Sequence, residues 1–109
     1  MPSLKSFLSE EDKLNFFAHI FANLKINEIE PGHVVMCPED WVIAREIPNI
    51  FSPEKDEKRF EKGCCAWLWG AYVWIDKNAD EIKIYGKPHF AALEKDFPEL
   101  AKNIKELEK

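Results

Sequence analysis

The fold is decided by the stretch CCAWLWGAYVWI, which runs from Cys64 to Ile75. This stretch is rich in Trp, Tyr and Val and directly follows Gly63, so it predicts a strand rather than a helix. The segment KNAD at 77–80 indicates a turn, and the alternating segment EIKIY at 81–85 indicates a second strand. Together they predict a β-hairpin formed by residues 64–76 and 81–85.

A hairpin closed by residues 77–80 has a defined register. Ile75 would lie opposite Ile82, and Val73 opposite Ile84. Because side chains alternate between the two faces of a strand, these pairs share one face, which we expect on the core. The same alternation adds four residues of the first strand to that face: Ala71, Trp69, Trp67 and Cys65.

The opposite face of the predicted hairpin is aromatic and partly charged. Trp74 would lie across from Lys83 and Tyr72 across from Tyr85, with Leu68 further along. A helix of the same chain, another molecule or a small ligand must cover such a band, because it should not face water. Aromatic residues beside charged ones are typical of interfaces. We therefore expect these five residues to form a partner-binding surface, with Trp74 near the centre of a homodimer or a partner complex.

Helices are predicted at both ends of the chain. Ser9, followed by acidic residues, indicates the start of a helix that reaches Leu24 and is apolar on most of its circumference. Near the other end we expect a helix over residues 88–95 and a last helix capped by Asp96 and Glu99. The apolar stripe of that last helix consists of Leu100, Ala101, Ile104 and Leu107.

The middle of the chain is less regular. A strand is expected at 33–36, and residues 38–47 are compatible with either a helix or a strand. Residues 52–62 are predicted to form either a charged, solvated helix that ends at Gly63 or a mobile loop. The predicted fold class is α+β: a small antiparallel sheet built on the 64–76/81–85 hairpin, packed with N- and C-terminal helices in one domain, residues 1–109.

Composition limits the classes of partner. The net charge of −5 disfavours binding to nucleic-acid phosphates. The longest apolar run has twelve residues, whereas a membrane-spanning helix needs about 20. The N-terminus has no apolar segment typical of a signal peptide, and three cysteines disfavour a disulfide framework, so we expect a cytoplasmic protein. The absence of Gln and Thr, with abundant Lys and Glu, is typical of a thermophile or of an AT-rich genome.

Cys37 is the candidate catalytic residue. It precedes Pro38 at a possible helix N-terminus, a position that can activate a thiol. A Cys-Pro step after a strand resembles the active-site junction of thioredoxin-like proteins, but Asp40 stands where that pattern has its second cysteine. A thiol-dependent enzyme or redox protein is therefore an alternative hypothesis, while a buried apolar role is the more common one for such a residue.

Metal binding is a second alternative. The chain has no C-x-x-C or H-x-x-x-H spacing, and adjacent cysteines in a strand point to opposite faces. The candidate ligands, His33, Cys37 and His89, therefore have no paired spacing, and we predict no metal and no cofactor. Our leading hypothesis is a non-enzymatic acidic interaction module, of the inhibitor, immunity or adaptor type, that binds a protein partner or itself.

Overall fold

The computed structural model describes residues 9–108. Its helices are α1 (Glu10–Ile26), α2 (Pro38–Ala44), α3 (Glu57–Glu61), α4 (Phe90–Asp96) and α5 (Pro98–Leu107). Its strands are β1 (Pro31–Met36), β2 (Phe51–Pro53), β3 (Cys64–Leu68), β4 (Ala71–Ile75) and β5 (Lys83–Gly86), and a 3₁₀ turn, Lys87–His89, joins β5 to α4. Residues 1–8, which include most of the segment assessed for a signal peptide, lie outside the described residues.

The fold is α+β with a small sheet, as predicted, but the sheet is mixed. Its strand order is β2-β3-β4-β1-β5, with β1 parallel to β4 and antiparallel to β5. The predicted 64–76/81–85 hairpin and the purely antiparallel sheet are therefore wrong. The chain instead reverses at Trp69 and Gly70, whose φ angles of 46° and 95° match a two-residue hairpin turn, so β4 pairs with β3.

The predicted faces of β4 and β5 are nevertheless correct, because β1 lies between these two strands. Val34 pairs with Val73 on one side and with Ile84 on the other. Side chains that lie across from each other in neighbouring strands share a face, so an inserted strand leaves the alternation unchanged. Val73 and Ile82 are buried in one core cluster, and Ile75 and Ile84 pack against it.

The first half of the aromatic stretch follows a different alternation from the one predicted. Ala66 and Leu68 are buried with Val73, whereas Trp67 pairs with Tyr72 on the opposite face. Two features cause this: the turn at Trp69, and an irregularity in the β3–β4 register between Cys64 and Ala66. The assignment of Trp67 and Trp69 to the core face is therefore wrong, while Ala71 and Cys65 do contribute to that core.

Helices cover both faces of the sheet. On one face, Phe17 and Phe21 of α1 pack in the cluster that contains Val34 and Val73. On the other face, side chains of α4 and α5 form a second cluster around Trp74. Its helical members are Leu93, Leu100, Ala101 and Ile104. Of the three alternatives for the aromatic face, the structure thus supports a helix of the same chain.

Local signals account for most helix starts. The Ser9 side chain accepts a hydrogen bond from Asp12 N at 3.1 Å, as expected for an N-cap. Residues 38–44 are helical, which decides between helix and strand there. The predicted helix at 52–62 is wrong at its start, because Phe51–Pro53 pairs with β3 and Asp56 caps the shorter α3. Gly63, with φ 106°, follows α3 as predicted.

The predicted capping box at Asp96 and Glu99 is also wrong. Pro98 is the first residue of α5, and its N-cap is Phe97. The Asp96 carboxylate instead accepts a 2.6 Å hydrogen bond from the Tyr85 hydroxyl. That bond attaches α4 to β5, and it gives Tyr85 a polar partner although its ring is buried.

Candidate functional site

The residues of the expected partner-binding face do not form an exposed surface. Only 1% of Trp74 is exposed, and Leu68 and Tyr85 are also buried. Leu68 lies in the cluster under α1, and Trp74 and Tyr85 lie in the one under α4 and α5. The expectation that Trp74 is the centre of an intermolecular contact is therefore wrong, because the chain's own helices bury it. Tyr72 and Lys83 remain partly exposed.

Around Trp74 the structure assembles a polar and aromatic cluster. Trp74 Nε1 donates a 2.9 Å hydrogen bond to His33 Nδ1, and the two ring centroids are 6.0 Å apart. The imidazole also contacts Tyr72 and Phe90, with centroid distances of 6.1 and 5.9 Å. His33, considered above as a metal ligand, is thus held by aromatic rings.

The protonation state of His33 follows from this geometry. Burial lowers the pKa of His33 from 6.5 to about 4, so the imidazole is neutral at pH 7. Because Nδ1 accepts the Trp74 bond, the ring proton resides on Nε2. Nε2–H makes no hydrogen bond to any residue in the range 9–108, which leaves one free donor on a largely buried ring.

A buried carboxylate organises the neighbouring edge of the sheet. Glu54 Oε2 accepts a 2.9 Å hydrogen bond from Trp67 Nε1, and Glu54 Oε1 accepts one of 2.9 Å from Asp56 N. Arg59 Nε lies 3.5 Å from the same Oε1. Burial alone would raise the pKa of Glu54, but these donors outweigh it and lower that pKa. Arg59 also lies 5.0 Å from the centroid of the Tyr72 ring, so this network supports one wall of the aromatic cluster.

Cys37 has the contacts of a helix cap. Its Sγ accepts a 3.4 Å hydrogen bond from Asp40 N and donates to Asp40 Oδ2, also at 3.4 Å. Activated thiols normally lie beside cations, whereas the neighbour here is a carboxylate. Burial raises the pKa of Cys65 to about 12 and raises that of Cys64 further, so these two thiols stay protonated at pH 7.

The candidate metal ligands are not brought together. Among residues 9–108, no three His, Cys, Asp or Glu side chains are grouped so that they could hold a metal ion. None of the helices in this part of the chain is long and apolar enough to cross a bilayer.

A surface groove between α1 and the β3–β4 turn is the feature that the sequence reasoning missed. We call it the α1–turn groove; its volume is about 600 Å³. Its apolar lining consists of Ala18, Phe21, Ala22, Ile29, Pro31 and Trp69. Trp69 forms one wall: its ring meets that of Phe21 edge to face at 5.3 Å, yet 43% of Trp69 is exposed. The pair Trp69-Gly70 was the available signal, since Gly is typical of the second position of such a turn.

Comparison with protein-family models, curated proteins and solved structures finds no match to this chain.

Proposed function

We propose that this protein is a non-enzymatic protein-interaction module, and that its α1–turn groove binds the same groove of a second copy. The observation that carries the proposal is Trp69, which is exposed beside an apolar groove and has a left-handed backbone conformation with φ 46°. Large side chains rarely adopt this conformation.

Folding stability alone does not account for Trp at position 69. The left-handed conformation costs about 1–2 kcal/mol for a residue with a Cβ atom, whereas Asn adopts it readily. The edge-to-face geometry with Phe21 returns about 0.5–1.5 kcal/mol in addition to the area that the two rings bury, and this contribution comes only from the buried part of the indole. The exposed part of the indole makes no contact that stabilises the monomer. Burial against a partner would stabilise it, and backbone strain is often found at such functional positions.

The shape of the groove favours a second copy as the partner. Ala18 and Ala22 lie one helical turn apart and leave a depression, and Ile26, one turn further along, is 77% exposed. A twofold contact places the same surface of both copies together, so each Ile26 can enter the depression of the other copy. The rim carries Lys25 together with Glu28, which allows opposite charges to meet across the same axis.

The thiol-dependent alternative has less support. Cys37 caps α2 and contacts the Asp40 carboxylate, which is not the surrounding of an activated thiol. The inhibitor, immunity or adaptor type of module remains a hypothesis based on composition.

Sedimentation velocity over a wide range of concentrations tests the proposal. We expect the unaltered chain to show a monomer–dimer equilibrium, and Trp69→Asn to remain a monomer at every concentration. Because Asn suits the turn, Trp69→Asn should unfold at about the same temperature as the unaltered chain when both are compared at a concentration at which the unaltered chain is monomeric. The matched control is Phe60→Asn, which removes another exposed ring, on α3, and should leave the equilibrium unchanged.

Three results would contradict the proposal. A monomer at all concentrations excludes self-association. A dimer that survives Trp69→Asn excludes the α1–turn groove as its interface. A marked fall in the unfolding temperature of Trp69→Asn, at a concentration at which the unaltered chain is monomeric, means that Trp69 serves the fold rather than a partner.

A further inference from the structure

A second cavity lies on the other face of the sheet, beside His33. Its volume is about 360 Å³, within the usual range for small-molecule sites. The residues relevant here are Gly32, His33, Gly70, Tyr72, Phe90 and Lys105. A Cβ atom on Gly70 would meet nothing within 4 Å, so the cavity is open at the turn. Tyr72 and Phe90 provide aromatic walls.

The polar groups at this cavity are few. His33 Nε2–H and the Tyr72 hydroxyl form no hydrogen bond within residues 9–108. The His33 ring is held in place by Trp74, so its donor is available without rearrangement of the protein. A ligand that supplies one acceptor would pair with this donor, and that hydrogen bond would fix the orientation of the ligand in the cavity.

The cations near the cavity are already neutralised. Lys87 lies 3.1 Å from Glu30, Arg59 lies 3.5 Å from Glu54, and Lys105 forms an ion pair with Glu94. Lys105 Nζ also lies 5.8 Å from the centroid of the Phe90 ring. Glu108 also lines the cavity, so its two lysines, Lys87 and Lys105, are matched by the carboxylates of Glu30, Glu94 and Glu108. This balance of charge favours an uncharged ligand.

We propose that this cavity is a binding site for a neutral, planar aromatic molecule that carries a hydrogen-bond acceptor. The ring packs against Tyr72 and Phe90, and the acceptor receives the hydrogen bond of His33 Nε2–H. This site is separate from the α1–turn groove, and its existence does not depend on the oligomeric state.

Three related probes test this site by NMR. Benzamide has the aromatic ring and a neutral acceptor, cyclohexanecarboxamide lacks the aromatic ring, and benzoate is charged. The reporter is the indole N–H signal of Trp74, identified by its loss in Trp74→Phe, because Trp74 Nε1 is bonded to the His33 ring. We expect a saturable shift with benzamide and at least tenfold weaker binding of both other probes.

A matched pair of variants locates the site. Phe90→Leu removes an aromatic wall and should weaken benzamide binding at least fivefold, whereas Phe60→Leu, at an exposed Phe outside the cavity, should not change it. No saturable shift with benzamide overturns the proposal. So does equal or tighter binding of cyclohexanecarboxamide or benzoate, or equal weakening by both variants. The relative affinities of the three probes are measured on the unaltered chain. They therefore test the proposal even if Phe90→Leu does not fold.

Discussion

Protonation of His33 should destabilise the fold in a defined pH range. The folded pKa is about 4 and the ordinary value is 6.5, so between these values the unfolded chain binds a proton that the folded chain does not. The stability that depends on neutral His33 is therefore complete above pH 6.5 and decreases as the pH falls towards 4. A shift of this size corresponds to roughly 3 kcal/mol in total, of which about 2 kcal/mol is lost between pH 7 and pH 5.

Urea unfolding at pH 7 and at pH 5, for the unaltered chain and for His33→Gln, measures this effect. Gln can accept the Trp74 hydrogen bond but does not titrate, so the variant should lose about 2 kcal/mol less than the unaltered chain. The pKa of Glu54 is lowered, so its contribution is lost mainly below its ordinary value of 4.5, outside this interval.

His19→Gln is the control, because His19 is exposed on α1. This variant should keep the pH dependence of the unaltered chain. The reasoning fails if His33→Gln and the unaltered chain lose the same free energy between pH 7 and pH 5. It also fails if His19→Gln removes the pH dependence.

Three further predictions follow from burial and backbone geometry. Val73→Ala should lower the free energy of unfolding by about 2 kcal/mol or more, because Val73 is fully buried, whereas Val42→Ala, at an exposed position, should change it by less than about 0.5 kcal/mol. Urea unfolding measures both variants, and equal effects would contradict the core assignment. Glu28→Gly should raise the free energy of unfolding by about 1 kcal/mol, because Glu28 follows α1 with φ 59°, where Gly is unstrained; a lower unfolding temperature would contradict this. Cys37 should react with a thiol reagent at pH 7 more slowly than a free thiol, since its Sγ is engaged with Asp40; fast stoichiometric labelling that Cys37→Ser abolishes would restore the thiol-dependent hypothesis.

The alternation of faces was predictable from sequence, but the neighbour of each strand was not. Val73 and Ile84 share a face because strand residues alternate, and this parity holds whether the strands touch or have β1 between them. The strand that lies beside β4 is determined by contacts between distant parts of the chain. The local pattern of apolar and polar residues carries no information about those contacts. The strand at residues 33–36 was recognised, but its place in the sheet was not.

The candidate sites were harder to predict, because their residues come from distant parts of the chain. His33 and Trp74 are 41 residues apart, and their hydrogen bond depends on the parallel pairing of β1 with β4. Trp69 was assigned to a continuous strand because its neighbours are apolar. The single residue Gly70 was the only nearby evidence of a turn, and it was outweighed by four aromatic residues in the same stretch.

The position of β1 in the sheet has a consequence for how the chain folds. The β3–β4 hairpin joins residues that are close in sequence, so it can form early and locally. The centre of the sheet instead requires β1 to meet both β4 and β5, which follow it after long intervening segments. Bringing the ends of these segments together costs conformational entropy before the strand contacts form. Folding should therefore be slow for a domain of this size. During synthesis, β1 leaves the ribosome long before β4 and β5 have been made. Its apolar residues Val34, Val35 and Met36 therefore have no strand to pair with until the last third of the chain has emerged.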